Sequence, residues 1–399
     1  EGIGMNGLGR RVAITGYGVV APCGIGKKEF WTGLLGPGLT GVDRATVIED
    51  WDSSPYYASP KEARRADLSE QFAIAAATEA MEQAGDLGLD PARFGTIFAT
   101  GVGGIHTLED QVAVRIAKGE RRVSPFLVPM IMANAPGAAI SMRFGLQGPN
   151  ETICTACAAG THALVYAARS IAWGLTDAVV SGGTEHAATV TALAGFGNMT
   201  ALSSTGTSRP FDTDRDGFIM GEGSAAFVLE EWDHAIARGA TILGEVVGGG
   251  SNADAHHITA PSPGGTGAIA CMRLALEDAG LTPADIGQIN AHGTSTPLND
   301  AAEAAAVQAV FGDDAVPVVS TKGVTGHALG AAGALEAAAV LLSFEHRRIP
   351  PTANTKVLDD DAAIDVVIGE ARDWEPGPTL SNNFGFGGHN GSIILAPAG

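Results

Sequence analysis

Ala80-Met81-Glu82-Gln83-Ala84-Gly85 and Ala275-Leu276-Glu277-Asp278-Ala279-Gly280 carry the same pattern, a helix end closed by glycine. The first leads through Pro91 and Gly95 to Ile97, Ala99 and Gly101. The second leads through Pro283 and Gly287 to Ile289, Ala291 and Gly293. Each reads as helix, loop and buried strand, offset by 195 positions at the start and 192 at the end. A second echo follows in the same order, Thr161-His162-Ala163-Leu164 beside Gly326-His327-Ala328-Leu329, each opening an alanine-rich helix. A repeat in this order points to a chain built from two duplicated α/β halves. The join is expected near residues 239–250, where 242–247 starts a new strand, dividing the chain into 1–243 and 244–399. Strands alternating with helices imply mainly parallel sheet covered on both faces.

The other bounds agree with a folded enzyme-sized protein. The 399 residues are 45% hydrophobic with 55 glycines, which suits roughly two domains rich in tight turns. Twenty-four basic against forty-four acidic side chains leave a net charge of −20, which argues against general affinity for nucleic acid or anionic membranes. No apolar run reaches the ~18 residues of a membrane-spanning helix. Residues 1–9 lack the regions of a signal peptide. Four cysteines in so long a chain do not make a disulfide framework, and a reducing cytoplasm fits best.

Residues 148–160, Gly-Pro-Asn-Glu-Thr-Ile-Cys-Thr-Ala-Cys-Ala-Ala-Gly, turn from a strand-like run directly into a helix. That puts the Cys157 thiol at a helix N-terminus, where unpaired N–H groups favour a negative charge and lower a thiol pKa. The alternative is a small buried cysteine packed in a helix. Cys154-x-x-Cys157 also invites zinc or redox readings. Cys23 and Cys271 stand alone without a partner motif, so no metal is expected.

Three further clusters bear on the choice. Asn290-Ala291-His292-Gly293-Thr294-Ser295-Thr296 ends a strand with an imidazole among small hydroxyl residues. Ser320-Thr321-Lys322 with Gly326-His327 runs to the mouth of an alanine-rich helix, whose N-terminus disfavours a cationic imidazole. Residues 381–391, Ser-Asn-Asn-Phe-Gly-Phe-Gly-Gly-His-Asn-Gly, form a glycine-rich loop. Its backbone N–H groups can bind an anion or form half an oxyanion hole, or it is a tight hairpin.

Taken together, these motifs resemble those of β-ketoacyl-[acyl-carrier-protein] synthases of the elongating, synthase II-like type, in the thiolase superfamily. The likeness runs from Arg10-Arg11-Val12-Ala13-Ile14-Thr15-Gly16 to Asn390. It includes Thr155-Ala156-Cys157-Ala158, Ser208-Arg209-Pro210-Phe211-Asp212, Gly221-Glu222-Gly223 and Asn383-Phe384-Gly385-Phe386-Gly387-Gly388. The resemblance implies a five-layered αβαβα fold, usually a homodimer, and an acyltransferase that joins an acyl chain to a malonyl unit with loss of carbon dioxide. It implies Cys157 as the nucleophile, and His292 and His327 as the pair that assists decarboxylation. Lys322 becomes an electrostatic support, and the N–H groups of Cys157 and Phe386 an oxyanion hole. Phe386 also gates the acyl pocket with Phe384 beside it, and Thr294 and Thr296 hold the pantetheine arm. No cofactor is implied beyond the phosphopantetheine of acyl-carrier protein, which is the partner.

That partner is acidic, so docking needs a local basic patch. Lys61, Arg64 and Arg65 fall at helical spacing on one face, and Arg121 and Arg122 precede Pro125. Both clusters match carrier-docking positions of the family. The segment between Val42 and Ser59 looks shorter than the family's, and the link from Leu202 to Ser208 is compact and lacks a basic residue often found there. Competing readings are a ketosynthase subunit of a type II polyketide pathway, alone or paired with a chain-length subunit, and a non-catalytic chain-length subunit. A thiolase is disfavoured, because no second cysteine lies near the C-terminus.

Overall fold

The computed structural model describes residues 9–312 and 316–399, so all but Gly9 of the N-terminal stretch read above lies outside the described residues. Ten principal strands fall into two sets of five. The first set is β1 (Val12–Ala21), β2 (Phe94–Ala99), β3 (Asn150–Ile153), β4 (Ala178–Glu185) and β5 (Gly223–Glu231). The second is β6 (Gly244–Ala253), β7 (Gln288–Asn290), β8 (Val318–Val319), β9 (Thr379–Gly385) and β10 (His389–Ala396). The spatial order is β3-β2-β4-β5-β1 in the first half and β8-β7-β9-β10-β6 in the second. One order is the other advanced by five strands. Short antiparallel pairing of Ala13 with Glu245 and Ile14 with Gly244 joins β1 to β6.

The sheet is mixed, against the expectation of a mainly parallel one. In each half two pairings are parallel (β2 with β3 and β4; β7 with β8 and β9) and two are antiparallel. The cause is local in the second half: Phe386-Gly387-Gly388 is too short for a crossover helix, so β9 returns as a hairpin into β10.

Helices α1 (Leu68–Ala84), α2 (Ile105–Lys118), α3 (Ala159–Ala172), α4 (Val190–Asn198), α5 (Thr266–Ala279), α6 (Pro297–Phe311) and α7 (Ala332–His346) complete the frame. The outer helices sit on glycines of the strand beneath. A Cβ on Gly16 or Gly18 of β1 would lie 2.1 or 2.2 Å from backbone oxygens of α1, and one on Gly250 of β6 2.2 Å from the Cys271 oxygen of α5. Helices α3 and α7 are buried between the two half-sheets and touch both, so both are largely apolar. They cross where a Cβ on Gly160 would meet Ala334 N at 2.8 Å. The layers are therefore helix, sheet, paired helices, sheet, helix, a thiolase-like αβαβα arrangement.

The first sequence echo has a common structural cause. Gly85 and Gly280, both at positive φ, close α1 and α5, and a proline-led 3₁₀ turn then feeds each strand. The second echo is only partly structural. Ala156 (φ 51°) and Leu329 (φ 45°) open matching 3₁₀ turns into α3 and α7. His162 therefore lies inside α3 while His327 precedes α7, and the two histidines are not equivalent despite their shared His-Ala-Leu context.

Candidate active site

Cys157 sits in the 3₁₀ turn Ala156–Ala158 that feeds α3, held there by the left-handed backbone of Ala156. Its Sγ lies 3.1 Å from Nε2 of His327. Its own N–H and that of Phe386 both favour the anionic form of the sulfur. Gly385 allows this approach, since a Cβ there would stand 3.0 Å from both Cys157 N and Thr155 O. The expectation of an acidified thiol does not hold. Burial pushes the thiol up to about 12, against the opposing pull of Lys322 and the two N–H groups. The resting group is therefore a thiol, with the His327 imidazole beside it.

His292 follows β7 and is buried. Its backbone N–H and that of Gly293 donate to Glu303 of α6 at 2.8 and 2.7 Å, which clamps the turn. Asn383 of β9 donates from Nδ2 to His292 Nδ1 at 3.2 Å and to Glu336 Oε2 at 2.7 Å, while its Oδ1 accepts from Thr161. The rings of His292 and His327 meet edge to face at 5.3 Å. Burial first, then Lys322, holds both imidazoles well below the usual histidine range, and His327 adds to the effect on His292. Both are neutral at pH 7. The helix argument for His327 is replaced by this one, because the 3₁₀ turn Leu329–Ala331 stands between it and α7.

Lys322 is fully buried behind the histidines. Its Nζ donates to the His292 carbonyl at 2.6 Å and pairs with Glu336. Glu303, Glu336 and the role of Asn383 were missed in the sequence. Glu336 had left a signal: it is the one charged residue in an otherwise apolar stretch of α7 from Ala332 to Leu342.

Cys157, His292 and His327 face one cavity of about 700 Å³. Phe384 packs edge-on against His292 at 5.9 Å, and Phe386 stands 6.3 Å from Phe196 of α4. Thr294 and Thr296 lie on its wall with their hydroxyls 2.8 Å apart. Cys154 belongs to no such site. It is exposed, with its thiol donating to the Gly101 carbonyl at 3.1 Å. Among the described residues no cluster of histidine, cysteine and acidic side chains suits a metal ion.

The basic residues lie outside the cavity and are exposed. Lys61, Arg64 and Arg65 do not share one long helix. The helix Pro60–Ala63 ends at Arg64, and Asp67 restarts the chain by capping α1 through Ser69 N at 2.9 Å. Arg65 instead covers the Phe126 ring at 4.6 Å, which brings this cluster beside the segment of Arg121 and Arg122.

Fold and site together define a thiolase-like condensing enzyme. Residues 9–235 match the family "Beta-ketoacyl synthase, N-terminal domain" and 243–356 "Beta-ketoacyl synthase, C-terminal domain", and the chain belongs to the β-ketoacyl synthase family. It is 42% identical to the 3-oxoacyl-[acyl-carrier-protein] synthase 2 of Vibrio cholerae serotype O1, over 97% of this chain and 99% of the relative. Among solved structures, "The ishigamide ketosynthase/chain length factor" superposes with a TM-score of 0.90 at 34% identity, covering 98% of this chain and 100% of the other. "AntDE:AntF (apo): type II PKS acyl-carrier protein in complex with its ketosynthase bound to the hexaketide" gives 0.89 at 30%, again over 98% and 100%.

Proposed function

We propose that this chain elongates an acyl chain, held as a Cys157 thioester, with malonyl-acyl-carrier protein to give β-ketoacyl-carrier protein in fatty-acid synthesis. The convergence of Cys157, His292 and His327 on one cavity carries the reading. The first half, through residue 243, supplies the nucleophile, and residues 244–399 supply the histidines, Lys322 and the hairpin.

In the first step Cys157 Sγ bonds to the acyl carbonyl, the carbon–sulfur bond to pantetheine breaks, and the pantetheine sulfur leaves with the thiol proton. The N–H groups of Cys157 and Phe386 receive the oxyanion. In the second step the malonyl carboxylate departs as carbon dioxide, and its bonding electrons form an enolate. Neutral His292 and His327 donate to the enolate oxygen without quenching the carbon. That carbon attacks the acyl carbonyl, the carbon–sulfur bond breaks, and Cys157 leaves as a thiolate that takes up one proton from solvent to restore the resting thiol. Burial, and then Lys322 in its pair with Glu336, keeps both imidazoles uncharged. Phe386 gates the acyl pocket with Phe384, and Thr294 and Thr296 hold the pantetheine arm. No metal or organic cofactor enters either step.

Lys61, Arg64, Arg65, Arg121 and Arg122 receive the acidic carrier protein. A second copy of the chain covers the free edge of β3 and the exposed Val102, Ile116, Val128 and Val190, a homodimer in the cytoplasm. The likeness to the two ketosynthase structures named above supports a second reading, a polyketide ketosynthase subunit with a chain-length partner. Acyl-carrier proteins of several chain lengths, incubated with malonyl-carrier protein and the enzyme alone, decide between them by mass spectrometry. A β-ketoacyl product two carbons longer supports the first reading. Product only when a chain-length subunit is added supports the second, and no product in either case contradicts both.

A further inference from the structure

His162 is buried at 2% exposure on α3 and is used by neither step above. Both ring nitrogens are engaged. Nε2 lies 3.0 Å from the backbone carbonyl of Asn390, and Nδ1 lies 2.8 Å from Thr155 Oγ1. A carbonyl only accepts, so Nε2 carries the proton and Nδ1 accepts from the threonine hydroxyl. Burial lowers the pKa of the ring, in keeping with this neutral form.

The two partners lie in different halves, 235 positions apart in sequence. Thr155 precedes Cys157 by two residues, on the turn that supplies one N–H to the sulfur. Asn390 lies in β10, four residues beyond Phe386, which supplies the other. Gly391 is packed flat on the same ring, where a Cβ would come within 3.1 Å of it. The hairpin thus rests on the nucleophile turn at two points, Gly385 against Cys157 and β10 against His162. An oxyanion hole with one donor from each half works only while the halves keep register, since displacement of about 1 Å costs on the order of 100-fold in rate.

We propose that His162 is a positioning residue that bolts the Phe386 hairpin to the Cys157 turn and so aligns the two N–H donors. The inference rests on the reading that these donors receive the thioester oxygen.

Two reactions of one sulfur separate this role from general support. Acylation by acyl-carrier protein needs the oxyanion hole, whereas alkylation by iodoacetamide displaces iodide and develops no oxyanion. His162→Ala should slow acylation about tenfold or more while alkylation stays within about twofold. His162→Gln, whose amide still donates to the Asn390 carbonyl, should recover most of the loss. Thr155→Val, which removes only the hydroxyl partner, gives the same comparison if the alanine variant does not fold. Acylation and alkylation falling in parallel, neither falling, or glutamine performing no better than alanine would overturn the proposal. Failure of the wild-type enzyme to acylate at Cys157 would instead overturn the functional reading beneath it.

Discussion

Asn383 and His292 are joined by a bond whose direction is fixed by their neighbours. The Asn383 amide cannot be turned over, because its oxygen would then face the Glu336 carboxylate, which has no proton to donate. Its Nδ2 therefore donates to His292 Nδ1, which leaves the imidazole proton on Nε2. Asn383→Asp replaces that donor with an acceptor and draws the proton to Nδ1. A wrong tautomer costs on the order of 10⁴ in a serine protease, and a loss of about 100-fold or more in condensation is expected here. Acylation of Cys157, which does not use His292, should fall far less. The two half-reactions, timed separately, check this.

Lys322 and Glu336 are a buried ion pair in which each charge depends on the other. Removing one partner strands a charge, at a cost of about 3–5 kcal/mol. Glu336→Gln and Lys322→Met should each lower stability by that order in urea unfolding. The double variant should be less destabilised than the sum of the two.

Burial and the Lys322 charge disfavour the imidazolium forms of His292 and His327, so each takes up a proton well below pH 6.5 in the folded enzyme. The unfolded chain takes up these protons near 6.5, so each histidine withdraws stability as pH falls below that value, by up to about 1.4 kcal/mol per unit. Glu303 works the other way. Burial raises its carboxyl to about 7, so its protonation restores stability as pH falls from there towards its unfolded value. Activity is the cleaner readout. The acid limb of condensation at saturating substrate should lie well below pH 6.5, and a limb at 6.5 would contradict two depressed histidines.

Docking should separate from chemistry. Arg64→Glu with Arg65→Glu is expected to weaken kcat/KM for acyl-carrier protein about tenfold or more. Turnover of a small thioester mimic should hardly change. Equal losses on both substrates would remove these residues from the docking surface.

How much of this was legible in the sequence follows from how local each signal is. The Gly85 and Gly280 caps, the proline turns and the strands after them are contiguous, so the duplicated frame could be read directly. Cys157, His292, Lys322, His327 and Phe386 each sit in a short motif, and the cavity does bring four of them together with Lys322 behind. The hidden parts depend on distance. The Asn383–His292 bond spans 91 residues and the His162–Asn390 bond 228. The Cys157 thiol was misjudged because a helix N-terminus is visible in sequence while full burial is not. The Lys61–Arg65 spacing suggested one helix because Asp67 acts as a cap only once the chain has turned.

Whether Cys157 carries the acyl chain is decided by mass spectrometry of the enzyme after incubation with acyl-carrier protein alone. One acyl group per chain is expected, located by peptide mapping to the fragment containing Cys157, and none on Cys157→Ala. An acyl label on another residue, or one that survives in Cys157→Ala, would contradict this role.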